Sequence, residues 1–407
     1  MKNTIKNIVL GLGVMGSLFT SQPLEAAAPV QEKEWTFLIF LNADNNLDRF
    51  GVGDVEEMQE IGSNSEFNLV VQFDRAKGKP CKRLFIEKGN AEVIEDMGEC
   101  DMGSVDVLTD FVDWGVQNYP SKKLAVVLWN HGSGWNKKAR NTVFKGISYD
   151  DESGNHITTA QMGQASETIK NILGRKLDIL AFDACLMQMV EVSHAVKDNA
   201  HIMLASEEVE PGEGWAYNDS MKPIAQNPAV SAEEAATIIV DTYDASYDGG
   251  SQGKRATTQS WVRLSKADAL ASAIDEFAIA LKGNFIEETN DAVLQVQKFR
   301  YRSNIDLIHF LKLMEERVSS NTIADAGVKA NVLSTLAAAK TAANEFVGHN
   351  ASHGYSTKNA FGTAVYFPRK GYSFSKKYNK LAWAQDTSWD EMLQSFYDAS
   401  KTQESDL

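Results

Sequence analysis

Beyond residue 34 the chain alternates between two patterns of apolar residues. WTFLIFLN (35–42), NLVVQFD (68–74), KKLAVVLWN (122–130), KLDILAFD (176–183) and HIMLASEE (201–208) carry continuous apolar runs rich in β-formers. Short runs of this kind are the signature of strands buried on both faces. Between them lie VGDVEEMQEIG, SVDVLTDFVDWGVQNY (104–119), TTAQMGQASETIKNIL (158–173) and LMQMVEVSHAV, whose apolar residues recur at helical spacing. Ser104 or Asp106 is placed to cap the second of these, and Thr158 or Thr159 the third. Strand and helix in steady alternation predict an α/β/α sandwich around a mainly parallel sheet. Right-handed crossovers put helices on both faces, and ligands meet such a sheet at the carboxyl ends of its strands.

From about residue 251 the character changes. SQGKR is a polar break, TTQSWVRL (257–264) reads as a strand, and helical stretches follow at 265–282, 305–318 and 322–347. GTAVYFP (362–368) is a strand that stops at Pro368, and SWDEMLQSFYDAS (388–400) is a closing helix. The predicted organisation is a main α/β domain over 29–250 with a helix-rich region, 251–407, packed on it. Residues 1–28 stand apart: Lys2 and Lys6, an apolar stretch from Ile8 to Phe19, then Ala26, Ala27 and Ala28 have the layout of a secretory signal peptide. The stretch is too short for a membrane span, so a secreted or periplasmic protein without a membrane anchor is expected.

The formal net charge is −15. There is no long basic tract, which argues against a nucleic-acid partner. An acidic surface weakly favours cationic ligands. Export also changes how the three cysteines read. Cys81 and Cys100 bracket a β-rich hairpin that turns near Gly89 and Asn90, at similar distances from the turn, so a disulfide is predicted, with free buried thiols as the alternative. Cys185 is then left unpaired.

Cys185 follows the buried run LDILAFD, and His131 follows AVVLWN and precedes Gly132 and Gly134. Both sit at strand ends, so both are predicted to reach one crevice at the top of the sheet. A thiolate is a nucleophile and a neighbouring imidazole an acid and base, so the two form a candidate catalytic dyad. The bland alternatives are an inert buried thiol and a polar strand-end histidine. Asp183 lies two residues before Cys185, either to select cationic substrate groups or to cap the following helix. SEEVEPGEGWAY (206–217) adds Glu207, Glu208, Glu210 and Glu213, either as an acidic wall of the same crevice or as a solvated loop. NADNNLDRFG (42–51) begins with the spacing of a calcium loop but has Arg49 and Val55 where glycine and glutamate belong, so it predicts a helix start and not a metal site.

Several stretches together resemble the clostripain family of secreted bacterial cysteine peptidases: FLNADNNLD, DMGSVDVLTDFVDWGVQNYP, LWNHGSGW, KGISYDDESGNHITTAQM, FDACLMQMVEV, ASEEVEPGEGWAY and DTSWDEML. The resemblance implies a caspase-like α/β/α fold, with His131 and Cys185 as the dyad and hydrolysis of peptide bonds after Arg or Lys. It implies Asp183 at the base of the S1 pocket and a second acid near PGEGW, where this chain has Glu213. Backbone N–H groups of Gly132 and Cys185 would form the oxyanion hole. Family members are often zymogens cut in the loop after the histidine, which points to Lys145 among Lys137, Lys138, Arg140 and Lys145. No cofactor is required for this chemistry; Ca2+ is expected only as a stabiliser or activator, with no ligands assigned. A monomer acting on protein or peptide substrates with basic P1 residues is expected. The rival readings are a non-catalytic binding module on the same fold, and a transpeptidase or ligase using the same dyad.

Overall fold

The computed structural model describes residues 31–135 and 146–405. The expected signal peptide, residues 1–28, and the expected activation site at Lys145 lie outside them. The first part of the chain runs β1 (Lys33–Ala43), α1 (Asp48–Ile61), β2 (Phe67–Arg75), β3 (Lys79–Glu87), β4 (Asn90–Gly98), α2 (Val105–Asn118), β5 (Ser121–Trp129), α3 (Thr159–Leu173), β6 (Leu177–Asp183), α4 (Val190–Val196), β7 (Ala200–Ala205), α5 (Tyr217–Gln226) and α6 (Ala232–Tyr247). The remainder adds a small hairpin, β8 (Asp248–Gly250) and β9 (Gly253–Lys254), then β10 (Thr257–Arg263), α7 (Ala267–Leu281), α8 (Ile286–Gln295) and β11 (Asn304–Asp306). It closes with α9 (Leu307–Ser320), α10 (Ala326–Phe346), β12 (Val347–His353), β13 (Ala364–Tyr366), α11 (Ala382–Asp386) and α12 (Trp389–Ser405).

Nine strands form one sheet in the order β12-β10-β7-β6-β5-β1-β2-β3-β4. The central β7-β6-β5-β1-β2 pairings are parallel, and both flanks are antiparallel. The uninterrupted apolar runs follow from burial on both faces. Along β1, Phe37, Ile39 and Leu41 pack with Met58 of α1, Met221 of α5 and Ile239 of α6. Leu38 and Phe40 point the other way, into a second cluster with Phe111 of α2, Ile169 of α3 and Val192 of α4. The helix starts are set by side-chain caps: the Asp106 N–H donates to Ser104, and Thr158 forms a reciprocal box with Gln161.

The chain moves from β1 outward to β2 in one direction, and from β5 through β6 to β7 in the other. A crevice therefore opens where the order reverses, between the carboxyl ends of β1 and β5. The region after residue 250 supplies helices, as expected, but also the edge strands β10 and β12 of this same sheet.

The expected Cys81–Cys100 disulfide is corrected: both are free, buried thiols. The hairpin closes with Glu87 opposite Asn90, and a regular ladder from there would set Asp96 opposite Cys81. Two register shifts intervene, so Cys81 faces Gly98 and Cys100 lies past the end of β4. The thiols still touch, with Cys81 donating to Cys100; this contact raises the Cys81 pKa and lowers that of Cys100.

Candidate active site

The loop after β5 places His131. Asn130, buried beside it, donates to the carbonyls of Asn42 (2.6 Å) and Tyr149 (3.0 Å) and accepts from the Tyr149 N–H (2.9 Å). These bonds tie the end of β5 to the end of β1 and to the segment beginning at Gly146. The His131 Nε2 lies 2.8 Å from Asn46 Oδ1, across the point where the strand order reverses. This contact orients the ring, and the amide oxygen is placed to accept from Nε2 when that nitrogen carries the proton.

The loop after β6 places Cys185, half-buried, with its Sγ 3.8 Å from the Glu210 carbonyl. Burial pushes the thiol pKa up, while backbone hydrogen bonds that include those of Gly132 and Cys185 pull it down. The two loops interlock. A Cβ on Gly132 would come within 2.3 Å of the Cys185 carbonyl oxygen, and one on Gly134, whose φ is +61°, within 2.8 Å of the Leu186 carbonyl oxygen. Only glycine allows that approach. Leu186, directly after Cys185, itself has φ 66°, a strained conformation for a non-glycine residue.

Two cavities meet at these side chains. The larger, about 560 Å³, is lined by His131, Cys185, Tyr149, Asp151, Arg300 and Tyr301 among others. The smaller, about 230 Å³, is lined by His131, Cys185, Trp129, Asp183, Glu210 and Gly214 among others. Asp183 is buried at its wall and accepts from the Tyr217 hydroxyl (2.9 Å) and the Trp215 N–H (3.3 Å). Burial raises its pKa to about 6, against the pull of hydrogen bonds from Glu210, Tyr217 and Trp215. Burial and the Asp183 charge push Glu210 well above the usual carboxylate range. The two acids thus sit as a pair that shares a proton near neutral pH.

His131, Gly132, Cys185 and Asp183 therefore come together. Glu213 does not join them: it forms a two-point ion pair with the exposed Arg255, at 3.0 and 3.2 Å, outside the cavity lining. The acid that accompanies Asp183 is Glu210, which precedes the turn at Pro211. Asn46 and Tyr217 lie in stretches the sequence marks for other reasons, FLNADNNLD and ASEEVEPGEGWAY, while Arg300 and Tyr301 lie in none. Arg300 and Tyr301 come from the C-terminal region, which the sequence reading left without a role at the site.

The sequence profile of the clostripain family, peptidase C11, matches residues 39–396. Clostripain from Hathewaya histolytica is 24% identical over 329 residues, covering 68% of this chain and 60% of that protein. The chain thus spans less than two thirds of that relative's length. Among solved structures, a secreted C11 cysteine protease from Bacteroides thetaiotaomicron, in complex with an irreversible peptide inhibitor, superposes with a TM-score of 0.66 at 21% identity, covering 88% of this chain and 100% of that one. An inactive zymogen C11 protease from Parabacteroides distasonis gives a TM-score of 0.62 at 17% identity, covering 88% and 99%. At these identities the likeness is one of fold.

Proposed function

The chain belongs to the clostripain family of peptidases, and from that premise we propose that it is a cysteine endopeptidase cutting after Arg or Lys. The observation that carries this reading is that Cys185, His131 and Asp183 line one cavity of about 230 Å³. Cys185 attacks the scissile carbonyl carbon, forming a C–S bond. His131 takes the thiol proton and returns it to the leaving amine as the C–N bond breaks. Water then hydrolyses the thioester. Asn46 holds the His131 ring in the orientation this shuttle needs.

The oxyanion is held by the N–H groups of Gly132 and Cys185, a contribution of about 3 kcal/mol per donor in comparable sites. Support comes from the pull that the backbone of these two residues exerts on the thiol, lowering its pKa against burial. Asp183 and Glu210 receive the guanidinium or ammonium of the P1 side chain, which supplies the counter-ion their burial lacks.

Activation by a cut at Lys145–Gly146 is part of the same proposal, in line with the zymogen form of the Parabacteroides distasonis relative. The Gly146 N–H donates to Ser133 Oγ at 3.0 Å, two residues from His131. A cut there would leave its new terminal amine next to the histidine loop. Export to the periplasm or beyond, as a monomer, is part of the same proposal; the layout of residues 1–28 and the secreted Bacteroides thetaiotaomicron neighbour support the export. No helix among the described residues is long and apolar enough to cross a membrane.

The test is a peptide library varied at P1, incubated with the purified wild type and with Cys185→Ala. Cleavage after Arg and Lys by the wild type alone is expected. Equal cleavage by the variant would remove Cys185 from the chemistry, and cleavage without P1 preference would remove Asp183 from recognition.

A further inference from the structure

Four carboxylates converge behind the histidine loop and take no part in the chemistry above. One oxygen from each of Asp44, Asp74, Glu99 and Asp150 lies within 4.8 Å of the other three. They come from four separate segments: Asp44 from just after β1, Asp74 from the end of β2, Glu99 from just after β4, and Asp150 from the stretch beginning at Gly146. Asp44, Asp74 and Asp150 are 1%, 0% and 2% exposed, and Glu99 opens to solvent.

Backbone donors account for part of this group. The Glu152 N–H reaches Asp44 (2.8 Å), the Arg75 N–H reaches Asp74 Oδ1 (2.9 Å), and the N–H groups of Met102 (2.9 Å) and Ser153 (2.8 Å) reach Asp150. Asp74 Oδ2 is left buried with no hydrogen-bond partner. The nearby cations Arg75 and Lys79 are held by Asp48 instead. A buried carboxylate oxygen facing other carboxylates, with no donor, is costly unless a cation satisfies it.

We propose that Asp44, Asp74, Glu99 and Asp150 bind one divalent cation, Ca2+ in type. The donor set is all oxygen, which selects hard cations over zinc or copper. Calcium holds its oxygens at 2.3–2.6 Å, so opposite ligands stand about 5 Å apart, matching the spread of this group. Mg2+ demands a tighter octahedron and keeps several waters.

The ion would act on the catalytic loops at one remove. Asp44 is two residues from Asn46, the partner of His131, and its carbonyl accepts from the Asp151 N–H at 2.9 Å. A cation here would pin the end of β1 to the segment carrying Tyr149 and Asp151, both of which line the larger cavity. These ligands therefore stabilise the site without touching substrate.

The test uses full-length Cys185→Ala protein, stripped with a chelator, so that self-digestion plays no part and the outcome is independent of the peptidase reading. Calorimetric titration with CaCl2 is expected to show one site, and Ca2+ to raise Tm by several degrees where equimolar Mg2+ does not. Asp74→Asn in this background should weaken Ca2+ binding at least tenfold. Glu99→Gln, at the solvent-facing ligand, is the second variant should Asp74→Asn fail to fold, and it should weaken binding severalfold. No binding by the stripped protein, or unchanged affinity in Glu99→Gln and in a folded Asp74→Asn, would overturn the site. An equal response to Mg2+ would overturn its assignment to calcium.

Discussion

Two groups of buried carboxylates flank the crevice, and they differ in what faces them. Asp183 and Glu210 stand at the wall of an open cavity, with a tyrosine hydroxyl and a backbone N–H already donating to Asp183. Asp44, Asp74 and Asp150 are closed in among backbone donors; each group has one buried oxygen without a donor, Glu210 Oε2 in the first and Asp74 Oδ2 in the second. The first group can receive a side chain that enters and leaves. The second can take only a small ion. Local acidity does not separate the two roles; access does.

The largest expected effect tests what lies between the two groups. Cys185→Ala should lower hydrolysis of Arg and Lys reporters by ~10³-fold or more while leaving both acid groups and the melting profile in place. A rate within tenfold of wild type would break the division of labour. Next comes Asp183→Asn, which should reduce kcat/KM for basic P1 substrates on the order of 100-fold, the value of a charge-assisted hydrogen bond, and barely touch neutral ones. Equal losses on both would make Asp183 a structural acid like Asp44.

Asn46→Ala sits between the groups in effect as in space. A misoriented His131 should cost ~10- to 100-fold in kcat with KM nearly unchanged. A KM effect alone would place Asn46 in binding.

The pH dependence sharpens the comparison further. Asp183 titrates at about 6 in the fold, and only its ionised form attracts a cation. The kcat/KM for Arg and Lys substrates should therefore fall as pH drops through about 6, relative to a neutral P1 substrate measured in parallel. Parallel profiles would count against Asp183 as the contact. The same raised pKa means that the folded state holds a proton the unfolded chain has released, so Asp183 costs stability as pH rises from about 4 to 6. The smallest effect is expected at Glu213→Gln: its pair with Arg255 is half-exposed, and kcat/KM should change less than about twofold. A drop near that of Asp183→Asn would return Glu213 to the pocket.

The strands, and the meeting of His131 and Cys185 in one crevice, were legible because burial on two faces leaves long apolar runs, and the polar residues that end them stand out. LWNH and LAFDAC each place a candidate catalytic side chain at the end of such a run. The choice between Glu210 and Glu213 was not legible. Both lie in one acidic loop, and the turn at Pro211 and Gly212 decides which one enters. The four-carboxylate group was hidden for a different reason. Its members are spread over more than a hundred positions and meet only through strand order, although Asp44 begins the stretch whose calcium-loop spacing fails. The edge strand β12 escaped notice because VGHNASH has almost no apolar content and follows α10 without a break. The cysteine pairing was not settled by distance from the turn: a regular ladder would set Asp96 opposite Cys81, and the two bulges bring Gly98 there, still short of Cys100.

The missing side chain at Gly132 has a consequence for engineering. With the Cys185 carbonyl only 2.3 Å from where a Cβ would stand, the histidine and cysteine turns are fitted to one another like key and ward. A redesign that grafts one turn from a distant homologue while keeping the other should fail at this contact, whatever the match in catalytic groups. The transferable unit is the two turns together, from Asn130 to Gly134 and from Asp183 to Leu186.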